Sequence, residues 1–318
     1  MTLKRSPGDW LLLAALVAVW GSSFGLSRVA VVSISPIWVV ALRLSLGAVI
    51  LCALALARGQ KLPREARAWG WFAWLATTGN VLPFFLITWG TVHIDSGLAG
   101  ILIGSVPIVV ILLGHFLLPD EPMNRFKTIG VATGFAGVIV LIGPRALTEL
   151  SGSGVTLLAE IAVLIAAFSY ATQAVTARRM PPMGVVTRAA SVLLLSAVAA
   201  LILAATLAPH GLADATASGL VATVALGLFP TAAGTLILFR LLDRAGAGFV
   251  ANSNYLIPAW ALLAGMLFLG EKLAWNTALG FALILAGIAV GEHLGARSRA
   301  RQSRLAARQE NGMENRVL

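Results

Sequence analysis

Ten apolar stretches follow one another along this chain, each close to the roughly twenty residues a helix needs to cross a bilayer. They lie near 10–31, 36–57, 68–91, 96–118, 126–144, 154–177, 185–207, 217–240, 247–269 and 273–293. The joins are short and leave little room for a soluble domain. Only 11% of the residues are charged and the mean hydropathy is +0.90, whereas a soluble domain carries about 25% charged residues. A water-soluble fold of 318 residues cannot cover its surface with so few polar groups, so most of it must face lipid. The expected fold class is an all-α membrane protein with ten transmembrane helices. Lys4 and Arg5 before the run from Trp10 resemble a signal peptide. That run has full spanning length, so it reads as the first span rather than a cleaved leader.

Orientation follows from basic residues in the short loops. With the N-terminus inside, the inner loops hold eleven: Arg58, Lys61, Arg64, Arg67, Arg125, Lys127, Arg178, Arg179, Arg188, Arg240 and Arg244. The outer loops hold three: Arg28, Arg145 and Lys272. Both termini fall inside, on the cytoplasmic side. The net charge of +10 therefore reads as topology, and no nucleic-acid partner is expected. Residues 294–318 form a basic cytoplasmic tail, with Arg297, Arg299, Arg301, Arg304, Arg308 and Arg316. It is too polar to span and suits a solvated segment drawn weakly to anionic lipid.

The chain repeats itself. Pro107 and Pro258, each inside an apolar stretch, are 151 residues apart, and Pro83 and Pro230 are 147 apart. Gly130 matches Gly280, Gly137 matches Gly287 and Glu121 matches Glu271, each 150 residues on. Each half carries five spans. Five is odd, so the second half must enter the membrane the other way up. The expected architecture is two inverted-topology five-helix repeats, 8–144 and 152–293. Helix breaks at matching depth in two halves are the sequence pointer to a transporter's binding site. The proline removes a backbone donor, and the freed groups are tolerated only beside protein or a water-filled cavity.

The motifs Trp20-Gly21-Ser22-Ser23-Phe24, Arg43, Gly97-Leu98-Ala99…Pro107, Leu269-Gly270-Glu271-Lys272-Leu273 and Gly280…Gly287 resemble those of EamA-type members of the drug/metabolite transporter superfamily. The likeness covers about residues 8 to 292. It departs at Pro119-Asp120-Glu121-Pro122, where the Gly-Glu-Lys/Arg pattern is lost. The resemblance implies a ten-helix exporter or exchanger of small metabolites, often amino acids or their derivatives, in a bacterial inner (plasma) membrane.

Seven of the nine tryptophans sit near the expected membrane surfaces as aromatic belts. Trp20 and Trp260 lie mid-span, where an indole N–H needs an acceptor. They are packed against a neighbouring helix or they wall a cavity. Polar side chains at helical spacing mark Trp20, Ser23 and Ser27, then Thr77, Asn80 and Phe84, Tyr170 with Gln173, and Asn252 with Tyr255 and Asn254 alongside. The expected substrate cavity is Trp20, Ser23, Asn80, Tyr170, Gln173, Asn254, Tyr255 and Trp260. The expected helix breaks are Pro83, Pro107, Pro230 and Pro258.

Arg43 and Glu160 are intramembrane charges, each roughly 10 Å in from the outer boundary at 1.5 Å per residue. An ionisable group there is costly and marks function by default. One reading makes Arg43 a carboxylate anchor and Glu160 a proton-coupling group. The other has them snorkel outward or form a structural pair. Gly130-x-x-x-Gly134 and Gly287-x-x-x-Gly291 read as close helix packing.

Gly21-Ser22-Ser23-Phe24-Gly25 matches a hydrolase motif formally, but it sits in an apolar helix rather than a strand-to-helix turn. No Walker-type or metal-ligand spacing occurs, so no enzyme activity, cofactor or metal is expected. The expected function is a secondary carrier exporting small amphipathic metabolites by alternating access. An exchanger, an importer or a non-transporting sensor or assembly partner is the alternative. The expected partners are a small-molecule substrate, the lipid bilayer and protons as the candidate coupling ion, in a monomer or homodimer.

Overall fold

The chain's computed structural model describes residues 6–118, 123–142, 154–181, 183–250 and 252–291. The basic tail 294–318, Glu121 and the rest of Pro119–Pro122 lie outside them, as do Lys4, Arg5 and Arg145. The described residues contain helices and no strand.

Seven helices are long and apolar enough to cross a membrane. They are α1 (Pro7–Ala30), α2 (Pro36–Ala57), α3 (Ala66–His93), α4 (Ser96–Leu117), α6 (Val155–Arg179), α7 (Val185–Leu207) and α8 (Ala217–Leu241). Between α4 and α6 runs α5 (Arg125–Ile142), of 18 residues. Shorter helices close the chain, α9 (Ser253–Leu269) and α10 (Trp275–Ala289). A one-turn helix, Ala247–Val250, precedes α9.

Local signals set the ends. At α1 the Ser6 hydroxyl accepts from the Asp9 N–H at 3.3 Å, and the Asp9 carboxylate accepts from the Ser6 N–H at 3.0 Å. This reciprocal box satisfies two donors that a helix start leaves open. Pro7 and Pro36 occupy first turns, where the missing N–H costs nothing. Gly270 closes α9 with φ of 67°, a left-handed cap that a side chain resists.

The outward faces are apolar. Leu11, Leu56, Leu207 and Phe268 are each more than 70% exposed. Such a surface belongs against hydrocarbon, not water.

Like-numbered helices of the two halves meet. α5 packs against α10, and α2 against α7. Along the α5–α10 seam Gly130 lies beside Gly287 and Gly291, while Gly137 lies beside Gly280. One index rises as the other falls, so these helices run antiparallel. A Cβ on Gly130 would stand 2.6 Å from the Gly287 carbonyl oxygen, and one on Gly137 2.8 Å from that of Gly280. Glycine is what lets the two backbones touch. Across the other seam Trp38 Nε1 donates to the Ala208 carbonyl at 2.7 Å and Gln60 meets Thr187 at 3.1 Å. That seam is antiparallel too. The remaining packing is reciprocal: α1 rests on α8 and α9, as α6 rests on α3 and α4.

The interruptions match as well. α3 opens into a π turn at Thr77–Val81, just before Pro83. α8 does so at Gly227–Ala233, around Pro230. α4 breaks at 104–105, before Pro107, and Asn252 stands in a turn just ahead of α9, which carries Pro258.

Candidate functional site

A cavity of about 430 Å³ opens where these interruptions converge. α1 supplies Trp20, Ser23, Phe24 and Ser27; α3 supplies Asn80 and Phe84; α4 supplies Gly104 and Pro107. From the second half come Tyr170 and Gln173 on α6, Leu193 on α7, Pro230 and Thr231 in the α8 π turn, and Asn254 and Pro258 on α9. Its size falls within the usual range for small-molecule sites, roughly 300–1,000 Å³.

The wall uses some polar groups to repair the broken helices and leaves others unspent. Trp20 Nε1 donates to the Pro230 carbonyl at 3.0 Å. Ser169 Oγ donates to the Thr78 carbonyl at 2.7 Å, and Gln173 Nε2 reaches the Leu75 carbonyl at 3.5 Å. Each half thus lends its first helix to the π turn of the other. Ser23 Oγ bonds back to the Trp20 carbonyl at 2.6 Å, and Asn80 Nδ2 donates to Ser196 Oγ at 3.0 Å. The Asn254 amide and the Tyr170 hydroxyl line the space with no hydrogen bond among the described residues.

Arg43 enters from α2 and is 6% exposed. Its Nε donates to Thr231 Oγ1 at 3.3 Å, and its guanidinium carbon stands 4.0 Å from the Phe84 ring centre. The Thr231 hydroxyl in turn donates to the Leu226 carbonyl at 2.8 Å, five residues back at the start of the π turn.

Two residues expected in the cavity stand elsewhere. Trp260 Nε1 donates to Ser22 Oγ at 2.9 Å, and its ring presses on Gly21. It joins α9 to α1 rather than facing the opening. Tyr255 packs against the apolar cluster around Ile101 and Val163. At about 100° per residue, Tyr255 and Trp260 point roughly 100° and 120° away from Asn254. Glu160 is 7% exposed on α6, outside the lining. Among the described residues it forms no ion pair with Arg43: Phe84 meets both Arg43 and Tyr170, and Glu160 lies ten residues, about 15 Å, along α6 from Tyr170. Thr231 and Leu193 were not legible in advance. Only the proline beside Thr231 hinted at it, and Leu193 looks like any lipid-facing leucine.

At the end of the bundle where α1 stops and α4 starts, Glu271 is held by three donors. Ser96 N, Ser96 Oγ and Gly97 N reach its carboxylate at 2.7, 2.7 and 2.9 Å. Arg28 lies 3.8 Å from Glu271 and 3.2 Å from Asp95. A carboxylate at a helix N-terminus satisfies open N–H groups and complements the dipole.

Among the described residues no group of His, Cys, Asp or Glu could hold a metal. The profile of the EamA-like transporter family matches residues 8–143 and 157–290. The chain is 26% identical to YoaV, an uncharacterized transporter of Bacillus subtilis, over 87% of this chain and 94% of that one. It is 29% identical to a probable terminal-alkyne amino-acid exporter of Streptantibioticus cattleyicolor, over 90% and 93%. It is 27% identical to the uncharacterized inner membrane transporter YedA of Escherichia coli K12, over 89% and 90%. A solved crystal structure aligns with a TM-score of 0.64 at 20% identity, covering 92% of this chain and 99% of that one. At that identity the likeness speaks for the fold alone.

Proposed function

The chain belongs to the EamA-like transporter family, and on that premise we propose that it is a secondary transporter exporting small amphipathic metabolites, amino acids or their derivatives, across the inner membrane. Its units are two inverted five-helix repeats, 8–144 and 152–293, with α5, α9 and α10 counted as spans and both termini cytoplasmic. The antiparallel α2–α7 and α5–α10 seams support the inversion. The cavity at the paired helix breaks carries the reading. Two halves that exchange the same contacts can rock between equivalent states, opening the cavity to one side and then the other. A wall of indole, phenyl and amide groups suits an amphipathic solute. The relative named as an amino-acid exporter points the same way.

Purified protein in liposomes tests this. Labelled amino acids and aromatic metabolites should equilibrate faster than in protein-free vesicles, with export accelerated by a proton gradient. Flux that appears only with a counter-substrate would make the protein an exchanger. No flux under either condition would leave a sensor or assembly partner and overturn the proposal.

A further inference from the structure

Resting on that transport reading, we propose that the cavity receives the carboxylate of a small organic monoanion, with the Arg43 guanidinium as its anchor. Arg43 is the one charged side chain in the described lining. Its Nε is committed to Thr231 and its flat face to Phe84. Nη1 and Nη2 have no hydrogen bond among the described residues. Side-chain atoms both buried and unpartnered are confined there to Ser35, Ser45 and Thr88. The two η nitrogens therefore touch cavity space and are not sealed in protein.

Among the described residues no carboxylate pairs with this cation. The ion pairs among the described residues are Arg28 with Asp95 and Glu271, and Arg244 with Asp9. A cation removed from water and left uncompensated is costly, and an incoming anion relieves that cost. The guanidinium fork matches a carboxylate through two parallel N–H bonds. The Phe84 face and Thr231 hold it in one orientation, so little freedom is lost on binding. One positive charge suits a monoanion; a phosphate dianion would call for more.

The rest of the wall sets the other end of the ligand. The Asn254 amide remains open for one further polar group, while Tyr170 meets the Phe84 ring on which Arg43 rests and so belongs to the carboxylate's end. Phe24, Ile103, Leu238 and Ile257 offer apolar contact for its body. The ligand class is thus a carboxylate with an apolar side chain and one neutral or cationic polar group, which describes an apolar amino acid or its derivative.

Apparent affinity is read from melting temperature against ligand concentration in the detergent-solubilised full chain. The probes are L-phenylalanine with L-phenylalaninamide, L-leucine with L-leucinamide, and phenyl phosphate. The wild-type protein should bind each acid roughly 10- to 100-fold more tightly than its amide, the range for a charge-assisted bond. Arg43→Met should bring that ratio close to one, and Arg43→Lys should keep part of it. The acid-to-amide comparison uses the unaltered protein, so it stands even if Arg43→Met does not fold.

A wild-type ratio near one, phenyl phosphate binding best, no binding of either acid, or a ratio untouched in folded Arg43→Met each overturns the anchor. If proteoliposome flux persists in that event, the transport reading stands without it. Acid-selective binding without any flux would sink the transport reading and leave the anchor.

Discussion

At positions 150 residues apart, Arg43 on α2 stands where the second half has Leu193 on α7. Asn80 corresponds to Pro230, Gly104 to Asn254, Trp20 to Tyr170 and Ser23 to Gln173. All ten residues line the same cavity. The backbone plan is shared, down to a π turn in the third helix of each half and a break in the fourth. The side chains are not. On the transport reading, a two-fold frame would let both gates use one geometry. With the carboxylate anchor proposed above, the frame's unlike linings would offer a ligand a charged end and a neutral end, and so one direction of binding.

The sharpest way to break the shared frame is at its seams. Gly130→Leu would drive a side chain into the α10 backbone at a 2.6 Å approach. It should cost on the order of 3 kcal/mol or abolish folded protein, read as loss of a single peak in size-exclusion melting. Gly25→Ala, whose Cβ would meet only Leu269 at 3.5 Å, should be mild by the same assay.

The ends of the bundle come next. Glu271→Gln keeps the shape but removes the charge from the start of α4 and from Arg28. A loss of about 1–2 kcal/mol is expected. Cysteine accessibility near Ser96 should rise with it. No rise would mean that this contact does not hold the start of α4 in place.

The two mid-span tryptophans compare the cavity with a seam. Trp20→Phe and Trp260→Phe each lose one hydrogen bond, worth about 1 kcal/mol. Stability should fall similarly in both. Transport should change in Trp20→Phe, whose ring lines the opening, and much less in Trp260→Phe. Equal transport defects would place Trp260 in the path after all.

The smallest effect on the fold belongs to Asn254→Ala. The amide has no protein partner among the described residues, so melting should move by no more than about 0.5 kcal/mol. Liposome flux should nonetheless fall several-fold. Unchanged flux would remove Asn254 from the ligand's neutral end.

Much of this was legible beforehand because lipid is a strict solvent. A residue facing hydrocarbon must be apolar, so helices announce themselves as apolar runs, and Pro83, Pro107, Pro230 and Pro258 announce where helices break. The breaks take the form of π turns and short gaps, which the prolines alone did not specify. Helical spacing grouped Trp20 with Ser23 and Tyr170 with Gln173, and all four line the cavity. It grouped Tyr255 with Asn252, and mid-span depth singled out Trp260, yet neither lines the cavity: a buried helix has several neighbours, and neither spacing nor depth says which face meets a cavity.

The sequence alone determined the class of molecule, its helical segments, its duplication and its family, since these depend on composition and order along one chain. Which polar groups are spent and which are open was decided only in three dimensions. Arg43 meets Thr231 across 188 residues of chain, and Trp20 meets Pro230 across 210. Contacts at that separation follow from how α2, α7 and α8 lie together, and side-chain type carries no record of that.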